Sequence, residues 1–393
     1  MAVRRDADRL AGIPPTVFSR MSALAASTGA VNLGQGFPDR DGPSTVIERA
    51  VSALRDGANQ YAPGAGIPAL RRAIADHQLR HYGLDLDPDT EVVVTTGATE
   101  AIAGAMLGLV NPGDEVIVLE PWYDSYAAMI SFAGGVLRPV TLHAPEFRLD
   151  VDALEAAVTS CTKLLLINTP HNPTGTVLTR SELEAVARIA IEHDLIVVTD
   201  EVYEHLVFTG HTHVPIATLP GMADRTLTLS SAGKSYSFTG WKVGWATGPA
   251  PLVGAVLAAK QWLSFTSASA LQPAIAWALE HEAAYPRELA VSLEERRDLL
   301  CDGLSAVGLT ARRPEGTYFA TTDVAHLGWK DGLEFCLALP ERAGVVAIPM
   351  QGFYGSPRSG HHPGRHLVRW AFCKEPDVLQ EGLRRLSAAD LSA

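Results

Sequence analysis

Cysteine is scarce in this chain, which has four in 393 residues. Cys161, Cys301, Cys336 and Cys373 are far apart and form no CxxC pair. This spacing argues against a disulfide framework and against a zinc site, and it fits a reducing compartment.

Long apolar runs and excess positive charge are also missing. The longest apolar run, Ala101–Val110, is shorter than the roughly 20 residues that span a bilayer. Residues 1–15 are charged and lack the apolar core of a signal peptide. The 32 Lys and Arg residues face 44 Asp and Glu, a net charge of −12 that argues against nucleic acid as the main partner. We therefore expect a cytoplasmic protein that binds neither nucleic acid nor membrane.

The patterning that is present is typical of an α/β protein. Hydrophobic residues make up 47% of the chain and charged residues 19%, which is ordinary globular composition. Ser181–His193 reads as a helix, with Ser181 and Glu184 as a capping box. Short apolar runs joined by such helices predict a mainly parallel sheet, with strands at 91–96, 115–119, 136–141, 163–168, 195–199, 226–230 and 243–247.

Two flanking regions differ from this pattern. Residues 1–45 are rich in glycine, proline and turns, which suggests an N-terminal arm and a segment of a smaller domain. Residues 46–284 form the predicted large domain. Residues 285–393 are expected to be a smaller α+β domain, with strands at 316–321, 345–348 and 366–372 and a closing helix from Pro376.

Polar clusters directly follow four of the predicted strands. They are Gly97-Ala98-Thr99, Asn168 to Gly175, Asp200 to Tyr203 and Ser230 to Lys234. In an open α/β sheet, ligands bind just beyond the carboxyl ends of the strands. Four clusters on one edge therefore predict a single binding site.

Lys234 and Asp200 have the most informative positions. Lys234, one of six lysines, lies on a Gly/Ser-rich turn, and lysine amines form Schiff bases with carbonyl substrates and with pyridoxal phosphate (PLP). Asp200 ends the apolar strand LIVVTD, where a bare charge is costly and the protonated ring nitrogen of PLP would compensate it. An ordinary turn lysine, and a carboxylate that caps a helix or pairs with arginine, are the alternatives for each residue alone.

Three further groups have ligand-binding character. Asn172 lies between two X-Pro steps, which predict an extended, rigid loop that fixes its side chain. Gly97–Thr99 opens a helix whose free N–H groups suit a phosphate, to which Lys242 and Ser231 would add a charge and a hydroxyl. Arg369 lies in the apolar run HLVRWAF and needs a carboxylate, from the protein or from a substrate. A tight turn, an ordinary helix start and a structural ion pair are the respective alternatives.

Together these segments resemble the class I, fold-type I PLP-dependent aminotransferases, and the resemblance covers nearly the whole chain. Within that family, TDEVYEHLVF (199–208) and FCLALPERAGVVAIPM (335–350) are most similar to bacterial N-succinyldiaminopimelate aminotransferases. The same group contains kynurenine, glutamine (transaminase K) and methionine aminotransferases. The segments that follow the family's order and spacing are VNLGQGFPD (31–39), QYAPGAG (60–66), TGATEAI (96–102), EPWYDSY (120–126), NTPHNPTG (168–175), TDEVYEHL (199–206), SSAGKSYSFTGWKVGW (230–245) and HLVRWAF (366–372).

The resemblance implies a role at the cofactor for each of these residues. Lys234 would bind PLP covalently and move the proton, and Asp200 would pair with the pyridinium nitrogen. Asn172 and Tyr203 would hydrogen-bond the phenolic oxygen, and Tyr123 would stack on the ring. The phosphate would be held by Gly97, Ala98, Thr99, Ser231 and Lys242, the last in a position where many family members carry arginine.

The resemblance also implies how substrate is bound. Arg369 would hold the α-carboxylate, helped by Gly36 and Asn172, and Phe18 would line the pocket. Tyr61 would reach the cofactor of a neighbouring subunit, which implies a homodimer with shared active sites.

The implied reaction moves an amino group between an L-amino acid and a 2-oxo acid, with 2-oxoglutarate and glutamate as the second pair. The expected donor resembles N-succinyldiaminopimelate, whose extra carboxylates could be attracted by Arg358, Arg365, His361, His362 and His366. A solvated polar loop is the alternative for these residues. Kynurenine, glutamine or methionine donors, and β-elimination from cysteine conjugates, remain open. A DNA-binding regulator built on this fold would need a basic helix-turn-helix segment, for which the first 45 residues leave no room.

Overall fold

This computed structural model describes residues 7–10, 16–355 and 362–393. Within this part of the chain, no helix is long and apolar enough to cross a membrane. The α-helices are α1 (Val17–Thr28), α2 (Ser44–Arg55), α3 (Pro68–Tyr82), α4 (Gly97–Leu109), α5 (Ser125–Phe132), α6 (Val151–Ala157), α7 (Arg180–Glu192), α8 (Ala232–Ser235), α9 (Ala250–Lys260), α10 (Gln272–His281), α11 (Tyr285–Ala306), α12 (Gly332–Ala343) and α13 (Pro376–Ser387).

The strands form three sheets, the largest with seven strands in the order β2-β8-β7-β6-β5-β3-β4. All neighbours in it are parallel except β8, which runs antiparallel to β2 and β7. The strands are β1 (Val31–Asn32), β2 (Val92–Thr96), β3 (Glu115–Glu120), β4 (Val136–Thr141), β5 (Thr162–Asn168), β6 (Ile196–Asp200), β7 (Thr226–Ser231), β8 (Val243–Thr247), β9 (Ala311–Arg312), β10 (Phe319–Asp323), β11 (Val345–Val346), β12 (Ile348–Pro349) and β13 (Leu367–Ala371).

The predicted α/β fold with a mainly parallel sheet is confirmed. The central strands β3 and β7 are buried along their whole length, because helices cover both faces of the sheet. The seven strands predicted for this sheet lie within one residue of their observed bounds. Helix α7, however, begins at Arg180, and its capping box is Thr179 with Glu182 rather than the predicted Ser181 with Glu184.

The N-terminal segment contains more regular structure than its composition predicts. Helix α1 is capped at its start by Thr16 and at its end by Gly29, whose φ is +64°. It packs against α12, and β1 pairs in parallel with β11. The described part of residues 1–45 thus contains a helix and a short strand in addition to turns.

The C-terminal segment forms a four-stranded sheet in the order β12-β13-β10-β9. The single strand predicted at 345–348 is two short strands, because β11 pairs with β1 and β12 pairs with β13. Arg369 lies on β13, the central partner of β10 and β12. This sheet therefore holds the arginine that the sequence placed in a buried strand.

Candidate active site

One cleft lies beyond the carboxyl ends of β5, β6 and β7 and at the start of α4. Its position follows from the fold, since three parallel strands end side by side there. The predicted site residues that line it are Gly97, Ala98, Thr99, Tyr123, Asn172, Asp200, Tyr203, Ser231, Lys234 and Lys242.

Lys234 lies on the short helix α8, directly after β7. Its Nζ is 5.7 Å from the ring centroids of both Tyr203 and Tyr318. Desolvation by the surrounding protein lowers the pKa of Lys234 to about 8, although Cys373 and Asp200 act in the opposite direction. A neutral amine, the nucleophilic form, is therefore accessible near neutral pH.

Asp200 ends β6 and is buried at the floor of the cleft. The Tyr126 hydroxyl donates to its Oδ2 at 2.7 Å, and the Val202 N–H donates to its Oδ1 at 3.3 Å. Burial raises the pKa of this carboxyl to about 6 despite these donors. Among the ion pairs of the described residues, none joins Asp200 to a cation within 4 Å. The site thus holds a carboxylate that lacks a positive partner.

The opposite end of the cleft is positively polarised. Helix α4 begins at Gly97, and the Lys242 Nζ lies 3.3 Å from the Thr99 Oγ1. The backbone fits tightly here, because a Cβ on Gly244 would lie 2.5 Å from the Gly97 carbonyl carbon and 2.7 Å from the Ala98 nitrogen. Gly97 itself has a φ of +68°, which disfavours any other residue. Free N–H groups and an ammonium here suit an anion.

Asn172 is positioned by a residue that the sequence analysis did not single out. Asn168, at the end of β5, pairs with Asp200 in the sheet and donates from Nδ2 to the Asp200 carbonyl at 2.8 Å. Its Oδ1 accepts from the Asn172 N–H at 2.8 Å. The expected extended loop is instead a turn at 172–174, with both X-Pro bonds cis. The signal that could have found Asn168 is its position one residue beyond an apolar run.

Arg369 is 1% exposed and has no acidic partner among the ion pairs of the described chain. Its Nη1 donates to the Asn172 Oδ1 at 3.0 Å, and its Nη2 donates to the Gly34 carbonyl at 2.9 Å. Its Nε has no partner. Burial lowers the pKa of the guanidinium to about 10, which still leaves it charged at neutral pH. The structural ion pair considered as the alternative is thus not found in the described part.

Two further predicted substrate contacts lie beside Arg369. Its Cζ lies 5.0 Å from the ring centroid of Phe18 and 3.9 Å from that of Phe319. The Gly36 carbonyl accepts a hydrogen bond from the Tyr318 hydroxyl at 2.7 Å. A Cβ on Gly36 would lie 2.5 Å from the Phe319 ring. Only glycine therefore lets the backbone at position 36 lie this close to Phe319.

The remaining predicted residues lie apart from the cleft. Tyr61 is 83% exposed, and its ring centroid lies 5.5 Å from that of Phe265, which does not line the cleft. Arg365 is exposed and donates to the Lys330 carbonyl at 3.2 Å. His362 and His366 are partly buried, and His362 packs against Tyr354 with ring centroids 5.6 Å apart. Arg358 and His361 lie outside the described residues.

A second, larger cavity of about 900 Å³ lies on the other side of Lys234. It is bordered by residues 38–45 and by α11, including Tyr285 and Arg296. Lys234 therefore lines both the cleft and this cavity.

Comparison with known proteins identifies the family. The model of "Aminotransferase class I and II" matches residues 28–385. The chain belongs to this family. It is 52% identical over 386 residues to the probable N-succinyldiaminopimelate aminotransferase DapC of Mycobacterium tuberculosis, covering 96% of this chain and 97% of that protein. The solved structure of the N-succinyldiaminopimelate aminotransferase from Mycobacterium tuberculosis superposes with a TM-score of 0.95, covering 98% of this chain and 99% of that one.

More distant relatives carry other substrate names. The methionine aminotransferase of Escherichia coli K12 is 39% identical over 378 residues, covering 96% of this chain and 97% of that protein. Kynurenine–oxoglutarate transaminase 3 of mouse is 38% identical over 402 residues, covering 95% of this chain and 88% of that protein. The predicted class, a PLP-dependent aminotransferase of fold type I, is confirmed.

The cleft of this aminotransferase fits its cofactor. It offers an uncompensated buried carboxylate at Asp200 and a positively polarised end at α4 and Lys242. PLP carries the complementary charges, a ring nitrogen that is cationic when protonated and a phosphate. Tyr126, to which the sequence analysis gave no role, lies at the start of α5 and fixes the carboxylate.

Proposed function

We propose that this aminotransferase takes the amino group of N-succinyldiaminopimelate, or a closely similar acidic amino acid, and gives it to a 2-oxo acid such as 2-oxoglutarate. The observation that carries the proposal is Arg369, a buried charged guanidinium without an acidic partner in the described chain, beside the cleft that holds Lys234 and Asp200. The donor assignment is supported by the 52% identity to a relative named for that substrate.

The cofactor is held, in this proposal, by groups at both ends of the cleft. Asp200 would pair with the ring nitrogen of PLP, and Asn172 and Tyr203, which line the same cleft, would donate hydrogen bonds to the phenolic oxygen. The start of α4, Ser231 and Lys242 receive the phosphate. When bound, PLP supplies an aldehyde carbon that takes the substrate amine and a ring that accepts the electron pair left by the departing α-proton.

Lys234 acts both as a nucleophile and as a proton acceptor in this proposal. Its lowered pKa leaves part of the amine neutral, so Nζ can attack a carbonyl carbon and, once released, can hold a proton taken from the substrate. The Tyr203 and Tyr318 rings, whose centroids are 5.2 Å apart, lie together on one side of Nζ. Asp200, ionised beside a cation, would keep the ring nitrogen of bound PLP protonated.

Arg369 orients the substrate. Its two terminal nitrogens each have two N–H groups, and each uses only one of them on Asn172 or Gly34. The free N–H groups and Nε can bind an α-carboxylate in a bidentate manner. Binding would place the α-carbon between this clamp and Lys234, which is the geometry that a proton transfer needs.

We also propose a homodimer in which Tyr61 contributes to the partner's cleft. Tyr61 lies in an exposed apolar patch with Trp262, Leu263 and Phe265, of which Trp262 is 84% exposed. Patches of this kind mark interaction sites. The variant W262D should dissociate in sedimentation velocity, whereas V291D, at an exposed valine outside the patch, should not. A monomeric wild type would refute the dimer.

A cytoplasmic location is proposed as well. All four cysteines are free thiols, and three of them are buried. This usage fits a reducing compartment. Cell fractionation that places the native protein outside the cytoplasm would refute it.

A panel of amino donors tests the substrate. N-succinyldiaminopimelate, methionine, kynurenine and glutamine are each supplied with 2-oxoglutarate, and glutamate formation gives kcat/KM. We expect the kcat/KM of the succinylated donor to exceed that of the other donors at least about tenfold, because each of the others lacks one charge-assisted contact. A higher value for another donor would refute the substrate and leave the class intact. Release of pyruvate and ammonia from a cysteine conjugate without any oxo acid would reveal β-elimination.

A further inference from the structure

Three histidines meet outside the cleft, on the far side of the turn that follows β6. His77 and His81 lie one helical turn apart on α3, and His205 lies in that turn. One ring nitrogen from each lies within 4.8 Å of the others. We propose that these three imidazoles form a binding site for a divalent transition metal ion, with zinc as the expected occupant.

The ring geometry supports convergence on one point. The centroid of the His77 ring lies 4.5 Å from that of His81 and 4.9 Å from that of His205, and the last two are 5.1 Å apart. Zinc binds imidazole nitrogen at about 2.0–2.1 Å, which sets ligand nitrogens about 3.3 Å apart in a tetrahedron. Shifts on the order of an ångström, within the reach of side-chain rotation, would produce that spacing.

The contact between His77 and His205 fits a position that a cation can take. Their Nε2 atoms are 2.7 Å apart, so one must donate a proton to the other. His77 is 3% exposed, and its two ring nitrogens contact only His205 and Gln78 among the hydrogen bonds of the described residues. A metal ion would replace the shared proton and bind both nitrogens, as neutral imidazoles do.

The outer contacts also match those of metal-bound histidine. Gln78 lies 3.4 Å from the His77 Nδ1 through its amide nitrogen, and its buried Oε1 has no partner. A half-turn of that amide presents Oε1 to the Nδ1–H of His77, the arrangement that orients metal-bound histidines. The adjacent Glu204 carboxylate is buried and supplies negative charge, held by the Tyr82 hydroxyl at 2.6 Å.

The histidine cluster is open to solvent on one side and has a positive charge near it. His81 is exposed, so three protein ligands would leave a fourth position for water, as in open zinc sites. Arg80, on α3, is a cation that acts electrostatically on His77 and His81, and its Nη1 donates to the Leu279 carbonyl at 3.2 Å. No local sequence motif marks this site, because His205 is far along the chain from His77 and His81.

The test uses the full-length, PLP-loaded protein after treatment with a chelator. Titration with zinc chloride by calorimetry should give one ion per chain, and Co²⁺ should produce the visible absorption of a tetrahedral nitrogen site in a difference spectrum. The variant H81A, at an exposed position that does not threaten folding, and H205Q should each weaken zinc binding at least about tenfold and abolish the cobalt band. H143A, at an exposed histidine elsewhere, should bind as the wild type does.

Either of two results would overturn the proposal. One is the absence of stoichiometric zinc binding in the wild type. The other is wild-type affinity in both H81A and H205Q, which would place the bound ion elsewhere. Neither result depends on the aminotransferase activity.

Discussion

Tyr126 offers the sharpest test of how the cleft controls its buried carboxylate. Its hydroxyl donates to the Asp200 Oδ2 at 2.7 Å, and both groups are buried. The change Y126F removes this donor and keeps the ring that packs against Tyr123, with centroids 5.7 Å apart. The remaining donor to the carboxylate is the Val202 N–H at 3.3 Å, a weaker contact.

The size of the effect follows from the hydrogen bond that is lost. A hydrogen bond to a charged group contributes about 1.5–3 kcal/mol, equivalent to roughly 1–2 pKa units. Because the Tyr126 hydroxyl stabilises the ionised form, its loss raises the pKa of Asp200 above its value of about 6. A cationic ring nitrogen paired with Asp200 in the PLP-loaded enzyme would lower the pKa of Asp200 in both proteins, so the pKa in Y126F would still lie above that in the wild type by the same amount. More of Asp200 is then protonated at a given pH, and less of the enzyme is active.

The assay is the pH dependence of the amino-acid half-reaction, followed by absorbance under single-turnover conditions. The acidic limb of the Y126F profile should move up by about 1–2 pH units, and the rate should recover at high pH. Y236F is the matched control, since this buried tyrosine donates to the Ala278 carbonyl instead. A uniform loss of rate at every pH, with the limb unmoved, would mean that Tyr126 only supports packing and would refute the reasoning.

Three further changes test the rest of the cleft. K234A should still bind PLP but show no turnover, and borohydride should label only the wild type; turnover near the wild-type rate would refute its role. R369L should raise KM for amino and oxo acids at least about 150-fold, because two charge-assisted hydrogen bonds of about 1.5–3 kcal/mol each are lost, and PLP affinity should be unchanged. Unchanged KM values would exclude the clamp. G244A should weaken PLP binding about 5- to 150-fold, because its Cβ would lie 2.7 Å from the Ala98 nitrogen and overpacking costs about 1–3 kcal/mol. G254A, where a Cβ meets nothing within 4 Å, should bind PLP normally, and fluorescence titration distinguishes the two.

The sheet was predictable because its signals are local. Each central strand is a short apolar run buried on both faces, and the run itself marks the bounds to within a residue. Helix α1 was missed because its own apolar pattern is modest and its burial depends on α12, which lies some three hundred residues later. The capping box of α7 was misplaced by two residues because Thr179 and Ser181 are both suitable caps, and only the chain's approach from the preceding loop selects Thr179.

The residues of the cleft were predictable from the sequence, but the contacts between them were not. Motifs placed Lys234, Asp200 and Asn172 at strand ends, and the register of the sheet then brought them together. The contacts that set their chemistry join distant positions, such as Tyr126 with Asp200 and Arg369 with Asn172, and no local pattern encodes such a pair.

Arg369 shows why the missing information matters for function. From sequence, a buried arginine can be explained either by an acidic side chain of the protein or by a substrate carboxylate. The two explanations differ only in what lies within about 4 Å of the guanidinium, which is a tertiary property. Here the hydrogen-bond acceptors are an amide oxygen and a backbone carbonyl, aromatic rings surround the guanidinium, and the one acid that acts on it electrostatically, Asp124, forms no ion pair with it among the described residues. A fold that keeps a full charge in such surroundings favours an anion that arrives from outside.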